Sequence, residues 1–220
     1  MSYRVSLEVD LDLLAENFQA ILSPVAPAEV MAVIKANAYG LGVNTIAEVL
    51  KNNGAEYFAV ADVNEAIEIH HHGLPIQILG NVFPDEISDA VKYDLICPLN
   101  NFETAEAINA EAVRRNKIIR GAITIDTGMG RIGMLGKDAF NEIVKINNNL
   151  KNIEIFGIYS HFSTSWKLND EYTHQQISIL SELVKQLQHI NINIPRVYIA
   201  ASGGIANYPE AFSAPFNLVR

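Results

Sequence analysis

The sequence predicts an α/β fold in which eight parallel strands close into a (β/α)8 barrel. Three observations carry this expectation. Short β-type runs alternate with longer amphipathic runs from end to end. Eight such runs come after the first helical stretch, the number that closes a barrel of this kind. No linker, charge block or low-complexity tract divides the 220 residues, so residues 1–220 are expected to form one domain. Strand then helix, repeated, implies parallel pairing through crossovers. A doubly wound open sheet is the competing architecture.

From the N-terminus, Arg4–Val9 alternates strictly, with Val5, Leu7 and Val9 apolar, and reads as a half-solvated strand. The buried barrel strands are expected at Val30–Lys35, Tyr57–Ala61, Ile76–Gly80, Leu95–Leu99, Ala122–Asp126, Ile155–Ser160, Val197–Ala201 and Phe216–Arg220. The clearest helix is expected from Asp170 to Ile190, with Ile177, Leu180, Val184, Leu187 and Ile190 on one face. Asparagines around Ile146–Ile153 predict a polar loop. His70, His71 and His72 end a helix before Gly73, which suits either a metal site or imidazoles favoured by a helix C-terminus. The chain stops inside the eighth strand pattern with no final helix. This predicts a barrel truncated at that strand, with Arg4–Val9 pairing to the missing part.

Composition narrows the function. Hydrophobic residues make up 49% and charged residues 19%, as in a soluble globular protein. The net charge of -9 disfavours nucleic acid and anionic membrane surfaces as partners. No apolar run is long enough to span a bilayer, and the N-terminus lacks the apolar core of a signal peptide. Cys97 is the only cysteine, so no intrachain disulfide forms. A cytoplasmic protein is expected.

Catalytic groups of such barrels lie at the C-terminal ends of the strands. There the sequence places Lys35 and Tyr39 after the first strand and Asp126 and Arg131 after the fifth. His161 comes after the sixth, Ser202, Gly203 and Gly204 after the seventh, and Arg220 ends the eighth. An amine at the edge of an apolar barrel is biased toward its neutral form, which condenses with an aldehyde to a Schiff base. Tyr39 and the Ser202 loop are suited to donate to a phosphate. The set predicts a small anionic cofactor with a carbonyl carbon. The plain alternative is a lysine whose stem packs on the barrel and whose head reaches water. Gly128–Gly133 also spells G-x-G-x-x-G after a strand. A dinucleotide site would need an acidic residue ending the next strand, and Glu154 begins it instead.

"AVIKANAYGLG", "IDTGMGRIG", "YSHFS" and "NLVR" resemble the N-terminal barrel domain of bacterial alanine racemases, and the match runs the length of the chain in order. The resemblance implies a fold-type III isomerase that uses pyridoxal 5'-phosphate to interconvert L-alanine and D-alanine, supplying D-alanine for peptidoglycan. It implies a homodimer and a C-terminal β domain outside this chain. By the same resemblance Lys35 is the Schiff-base lysine and the base on the D-alanine face. Tyr39 and Ser202, with Gly203, bind the phosphate. Arg131 contacts the cofactor's phenolic oxygen and the substrate carboxylate, His161 packs by the ring, and Arg220 meets the pyridine nitrogen. No metal is implied.

The chain departs from the family pattern in three places. Thr124 stands where many members carry a lysine, often carbamylated, so Arg131 lacks that negative partner. Ala201 replaces a common asparagine, and Gly203–Gly204 a bulkier pair. The tyrosine that acts as the opposite-face base lies in the C-terminal domain. A second reading is a single-domain pyridoxal-phosphate protein of cofactor homeostasis, which shares the barrel but has no second base. The loop Ser163–Tyr172 is expected to bear on substrate choice.

Overall fold

The fold is described from a computed structural model covering residues 4–220. Nine strands form among the described residues: β1 (Glu29–Val33), β2 (Tyr57–Val60), β3 (Ile76–Ile78), β4 (Cys97–Leu99), β5 (Ile119–Asp126), β6 (Met134–Leu135), β7 (Ile153–Tyr159), β8 (Val197–Tyr198) and β9 (Leu218–Val219). The ladders run β3-β2-β1-β9 and β4-β5-β7-β8, parallel throughout, with β6 attached to β5.

Backbone bonds join the two halves into a barrel. On one seam Gln77 bridges Ile96, and the Ile78 amide donates to the Ile96 carbonyl at 3.1 Å. On the other, the Asn217 amide donates to Val197 at 3.0 Å and the Arg220 amide to Ala200 at 3.1 Å. The eight expected barrel strands are all present. β5 begins earlier than expected, at Ile119, and β6 was not expected.

Helices α1 (Leu11–Val25), α2 (Lys35–Tyr39), α3 (Val43–Asn52), α4 (Val63–Ile69), α5 (Ile87–Lys92), α6 (Phe102–Arg114), α7 (Gly136–Asn149), α8 (Glu171–His189) and α9 (Ser202–Asn207) fill the connections. Their starts reflect capping chemistry. Asp10 accepts from the amides of Asp12 and Leu13, Asn101 from Thr104, and Asp170 from Thr173. Within α8, Leu180, Leu183, Val184 and Leu187 are buried, as the expected apolar face requires, while Ile190 lies beyond the helix and is exposed.

The barrel interior is a packed core. Met31, Ala59, Ile96, Ala122, Phe156, Tyr159, Tyr198 and Leu218, from six strands and the residue before β4, form one buried cluster. Tyr159 and Tyr198 stack with centroids 5.2 Å apart. The Tyr198 hydroxyl crosses the lumen to donate to Gln77 Oε1 at 2.6 Å. Each buried ring is worth about 1.5–3 kcal/mol in surface removed from water. Cys97 is fully buried in β4, and burial pushes its thiol up to about 12.

Arg4–Val9, expected to pair outside this chain, is a bend and irregular coil here, with Val5 87% and Leu7 72% exposed. Among the described residues no strand lies beside it, and alternation without a ladder partner does not make a strand. The polar loop around Ile146–Ile153 is shorter than expected. α7 runs through Asn149 because Ile143, Ile146 and Leu150 form one buried stripe, which outweighs the poor helix propensity of the asparagines.

Candidate functional site

At the C-terminal ends of the strands opens a cavity of about 650 Å³. Lys35, Tyr39, Arg131, His161, Ser202 and Arg220 all line it. Six of the seven candidate residues therefore meet at one mouth, at a volume suited to a small-molecule ligand. Gly203 comes after Ser202 in α9 but turns toward Ser165 and does not line the cavity.

Lys35 ends the apolar run of β1 and enters an unusual turn. Ala36, Asn37, Ala38 and Tyr39 all have positive φ, between 51° and 56°. α2 is thus a left-handed helical turn built without glycine. Gly40 closes it, donating to Ala36 O at 2.9 Å, and Asn37 Oδ1 accepts from the Val43 amide at 2.8 Å. The Glu65 carboxylate in α4 takes the Ala36 amide on one oxygen and the Ala61 amide, just past β2, on the other, each at 2.7 Å.

Arg131 is presented by the glycine loop after β5. Asp126 Oδ1 accepts from the amides of Gly128 and Gly130, at 2.9 and 3.0 Å, so this aspartate folds the loop. The Gly128 carbonyl accepts from the hydroxyls of Tyr172 and Ser163. Beneath it, Thr124 is buried, and its hydroxyl makes no hydrogen bond of normal geometry among the described residues.

His161 and Arg220 sit together. Arg220 Nη2 donates to the Ser160 carbonyl at 2.7 Å, and the Arg220 guanidinium lies 5.1 Å from the Tyr159 ring. Its Nε is buried and has no partner among the described residues. His161 is held down to about 4, first by burial and then by the positive charges of Arg220, Arg131 and Lys35. That three cations act on one imidazole is itself a measure of how tightly the site converges.

The N-terminal domain model of alanine racemase matches residues 9–220. The chain belongs to the alanine racemase N-terminal domain family. It is 38% identical over 206 residues to the alanine racemase of Clostridium tetani, and 39% identical over 206 residues to alanine racemase 1 of Clostridium acetobutylicum. Each alignment covers 92% of this chain and 53% of the relative. The chain therefore spans about half the length of the curated relatives it matches. Among solved structures, alanine racemase of Clostridium difficile 630 in complex with cycloserine superposes with TM-score 0.86 at 29% identity, over 93% of this chain and 57% of that one. Alanine racemase of Bacillus anthracis with bound L-Ala-P gives TM-score 0.87 at 27% identity, over 96% and 55%. The family's barrel architecture and the topology above agree.

Two residues near the site escape a reading of the sequence. Glu65 looks like the third residue of a capping box begun by Asp62, which hides its reach to the Lys35 turn. Gln176 is a polar residue on the apolar face of α8, one turn before Leu180, and it is fully buried. It accepts from the Ser163 amide and donates to the His161 carbonyl and Thr127 Oγ1.

Proposed function

We propose that this chain is the cofactor-holding barrel, residues 1–220, of a pyridoxal-phosphate-dependent alanine racemase. In this reading it interconverts L-alanine and D-alanine in the cytoplasm, as part of a homodimer, to supply D-alanine for peptidoglycan. The observation that carries it is the meeting of Lys35, Tyr39, Arg131, His161, Ser202 and Arg220 on one cavity of suitable size.

The donor set suits pyridoxal 5'-phosphate. Among the described residues Lys35 is the one amine on the cavity wall, and it would hold the aldehyde carbon covalently. Tyr39 and Ser202 would take the phosphate, and Arg131 the phenolic oxygen. The buried, unpartnered Nε of Arg220 calls for an acceptor, which the pyridine nitrogen would provide. When bound, the cofactor withdraws electrons from the substrate's α-carbon and makes its proton acidic. A guanidinium does not surrender its proton. Arg220 would therefore leave the ring nitrogen unprotonated and restrain side reactions. Neutral His161 would pack by the ring and fix Arg220 rather than compete for its charge. Lys35 would serve as base on the D-alanine face, with the opposite-face base outside these residues, in a C-terminal β domain.

The test is chemical. Protein incubated with pyridoxal 5'-phosphate and reduced with borohydride should carry the pyridoxyl label on Lys35 by peptide mapping, and a label confined to other lysines would refute the assignment. In heavy water, the loaded 220-residue chain should exchange the α-proton of D-alanine faster than that of L-alanine. Cofactor binding with no exchange from either isomer would favour a cofactor-homeostasis protein instead.

A further inference from the structure

We propose that Glu65 is a positioning residue for Lys35: its carboxylate holds the left-handed turn that aims the amine into the cavity. The inference rests on the reading of Lys35 as the cofactor lysine. The conformation of α2 is a costly one. Each L-residue in a left-handed helix places Cβ against the next carbonyl, at roughly 1–2 kcal/mol per residue. Four successive residues, Ala36 to Tyr39, carry that cost without a glycine among them. Such a turn persists only where its surroundings fix it.

The turn's own bonds do part of this. Gly40, Leu41, Gly42 and Val43 all donate back to residues 36–38. Those bonds tie the turn to the start of α3, and only the Ala38 amide, on Ile34 O at 3.0 Å, ties it back to β1. Nothing among them fixes the first left-handed residue, Ala36, to the barrel wall. Glu65 supplies that link. One carboxylate oxygen takes the Ala36 amide and the other takes the Ala61 amide, at the mouth end of the neighbouring strand β2. Charge-assisted bonds of this kind are about twice as strong as neutral ones.

The clamp itself is fixed at its base. The Glu65 amide donates to Asp62 Oδ1 at 3.0 Å, at the start of α4, so the carboxylate extends from a capped helix end. Lys35 is the residue immediately before Ala36. Locking the Ala36 amide to β2 therefore sets where the Lys35 Cα–Cβ vector points relative to Arg131, His161 and Arg220. A displacement of about 1 Å at a reacting group costs up to about 100-fold in rate.

The experiment tracks the modification of Lys35 itself rather than turnover. Unmodified protein, Glu65→Gln and Glu65→Ala are exposed to pyridoxal 5'-phosphate for timed intervals, reduced with borohydride and mapped, with labelling of the exposed Lys92 as internal reference. Glu65→Gln keeps one acceptor oxygen and the side-chain volume, so it carries the test if Glu65→Ala does not fold. Labelling of Lys35 is expected to slow about 10-fold or more in Glu65→Gln while the reference is unchanged. Amide exchange at Ala36 and Ala61 should speed up together in the cofactor-free variant. Ala36→Gly, which removes the clash at the strained position, should restore much of the labelling rate when added to Glu65→Gln. Absence of Lys35 labelling in the unmodified protein would defeat the cofactor reading. Normal labelling there, with an equal rate in Glu65→Gln, would overturn the role of Glu65 alone.

Discussion

Arg220 Nη2 lies 3.2 Å from Nδ1 of His161, and this contact fixes the state of the imidazole. A guanidinium only donates, so Nδ1 accepts and the ring proton resides on Nε2. Protonating the ring would break the bond and add a fourth cation beside Lys35, Arg131 and Arg220. Burial first, and then these positive charges, hold His161 at about 4 in the folded protein, against 6.5 for a free side chain.

Stability should therefore depend on pH. Between those two values the unfolded chain binds a proton at His161 that the folded chain does not. The contribution of this group is complete above about pH 6.5 and is lost as the pH falls from there toward about 4. Urea unfolding across that window should show the stability difference between unmodified protein and His161→Gln changing with pH, with the unmodified protein losing more on acidification. A difference that is constant with pH would contradict the assignment.

At the opposite end of the barrel, Arg196 forms a latch. It donates to both Glu29 carboxylate oxygens, at 2.6 and 3.2 Å, and to the Tyr57 hydroxyl at 2.8 Å. Its guanidinium also lies 4.7 Å from the Phe156 ring centroid. Exposed ion pairs contribute at most about 1 kcal/mol, whereas breaking a buried pair costs about 3–5 kcal/mol. The partly buried latch falls between. Arg196→Ala should cost about 2–3 kcal/mol, and Arg196→Lys, which loses the planar fork and the ring contact, about 1–2 kcal/mol. Denaturant midpoints at unchanged slope are the measurement. A cost below about 0.5 kcal/mol for Arg196→Ala would show that the latch is idle.

The contrast between the two ends of the barrel explains what the sequence made legible. Barrel order was readable because each strand is a short buried apolar run, and Lys35, Asp126, His161 and Arg220 each mark where such a run meets the mouth. The left-handed turn was not readable. Ala36, Asn37, Ala38 and Tyr39 carry no glycine to signal positive φ, and a carboxylate 29 residues away holds Ala36 in place. Gln176 hid for the same reason: its partners Ser163, His161 and Thr127 come from loops that only the closed barrel brings over α8. Arg4–Val9 forms no ladder here because alternation reports a two-faced environment, while the neighbour that a ladder needs is not among the described residues.

Gly133 should tolerate no side chain. Its φ is 122°, and a Cβ there would stand 2.8 Å from the Asp126 nitrogen and the Ile125 carbonyl carbon, both backbone atoms of β5. Neither can yield without disturbing the β5–β6 pairing that anchors the Arg131 loop. Gly133→Ala is expected to destabilise by more than about 2 kcal/mol, combining steric overlap with backbone strain. Gly130→Ala, at φ 71° with open space around it, should cost about 1 kcal/mol. Thermal unfolding of the two variants side by side tests the ranking, and equal losses would contradict it.

Gln176 gives the sharpest test of how the rim is held. The side chain is fully buried on α8 and makes three bonds: it accepts from the Ser163 amide at 3.0 Å and donates to the His161 carbonyl at 3.0 Å and to Thr127 Oγ1 at 3.2 Å. One helix residue thus ties the loop after β5 to the loop after β7. Gln176→Leu keeps most of the volume but strands an amide and a carbonyl away from water. Each buried polar group left unpaired costs about 1–3 kcal/mol, while Thr127 keeps its bond to Ser160 Oγ at 2.7 Å. The expected loss is about 2–4 kcal/mol. Gln186→Leu, on the exposed face of the same helix, should stay within about 0.5 kcal/mol. Exchange of the Ser163 amide should accelerate in Gln176→Leu well beyond the change in global stability, because the loop loses its tether before the barrel opens. Stability and Ser163 exchange equal to those of the unmodified protein would mean that the rim is held by the Tyr172 and Ser163 hydroxyls on the Gly128 carbonyl instead.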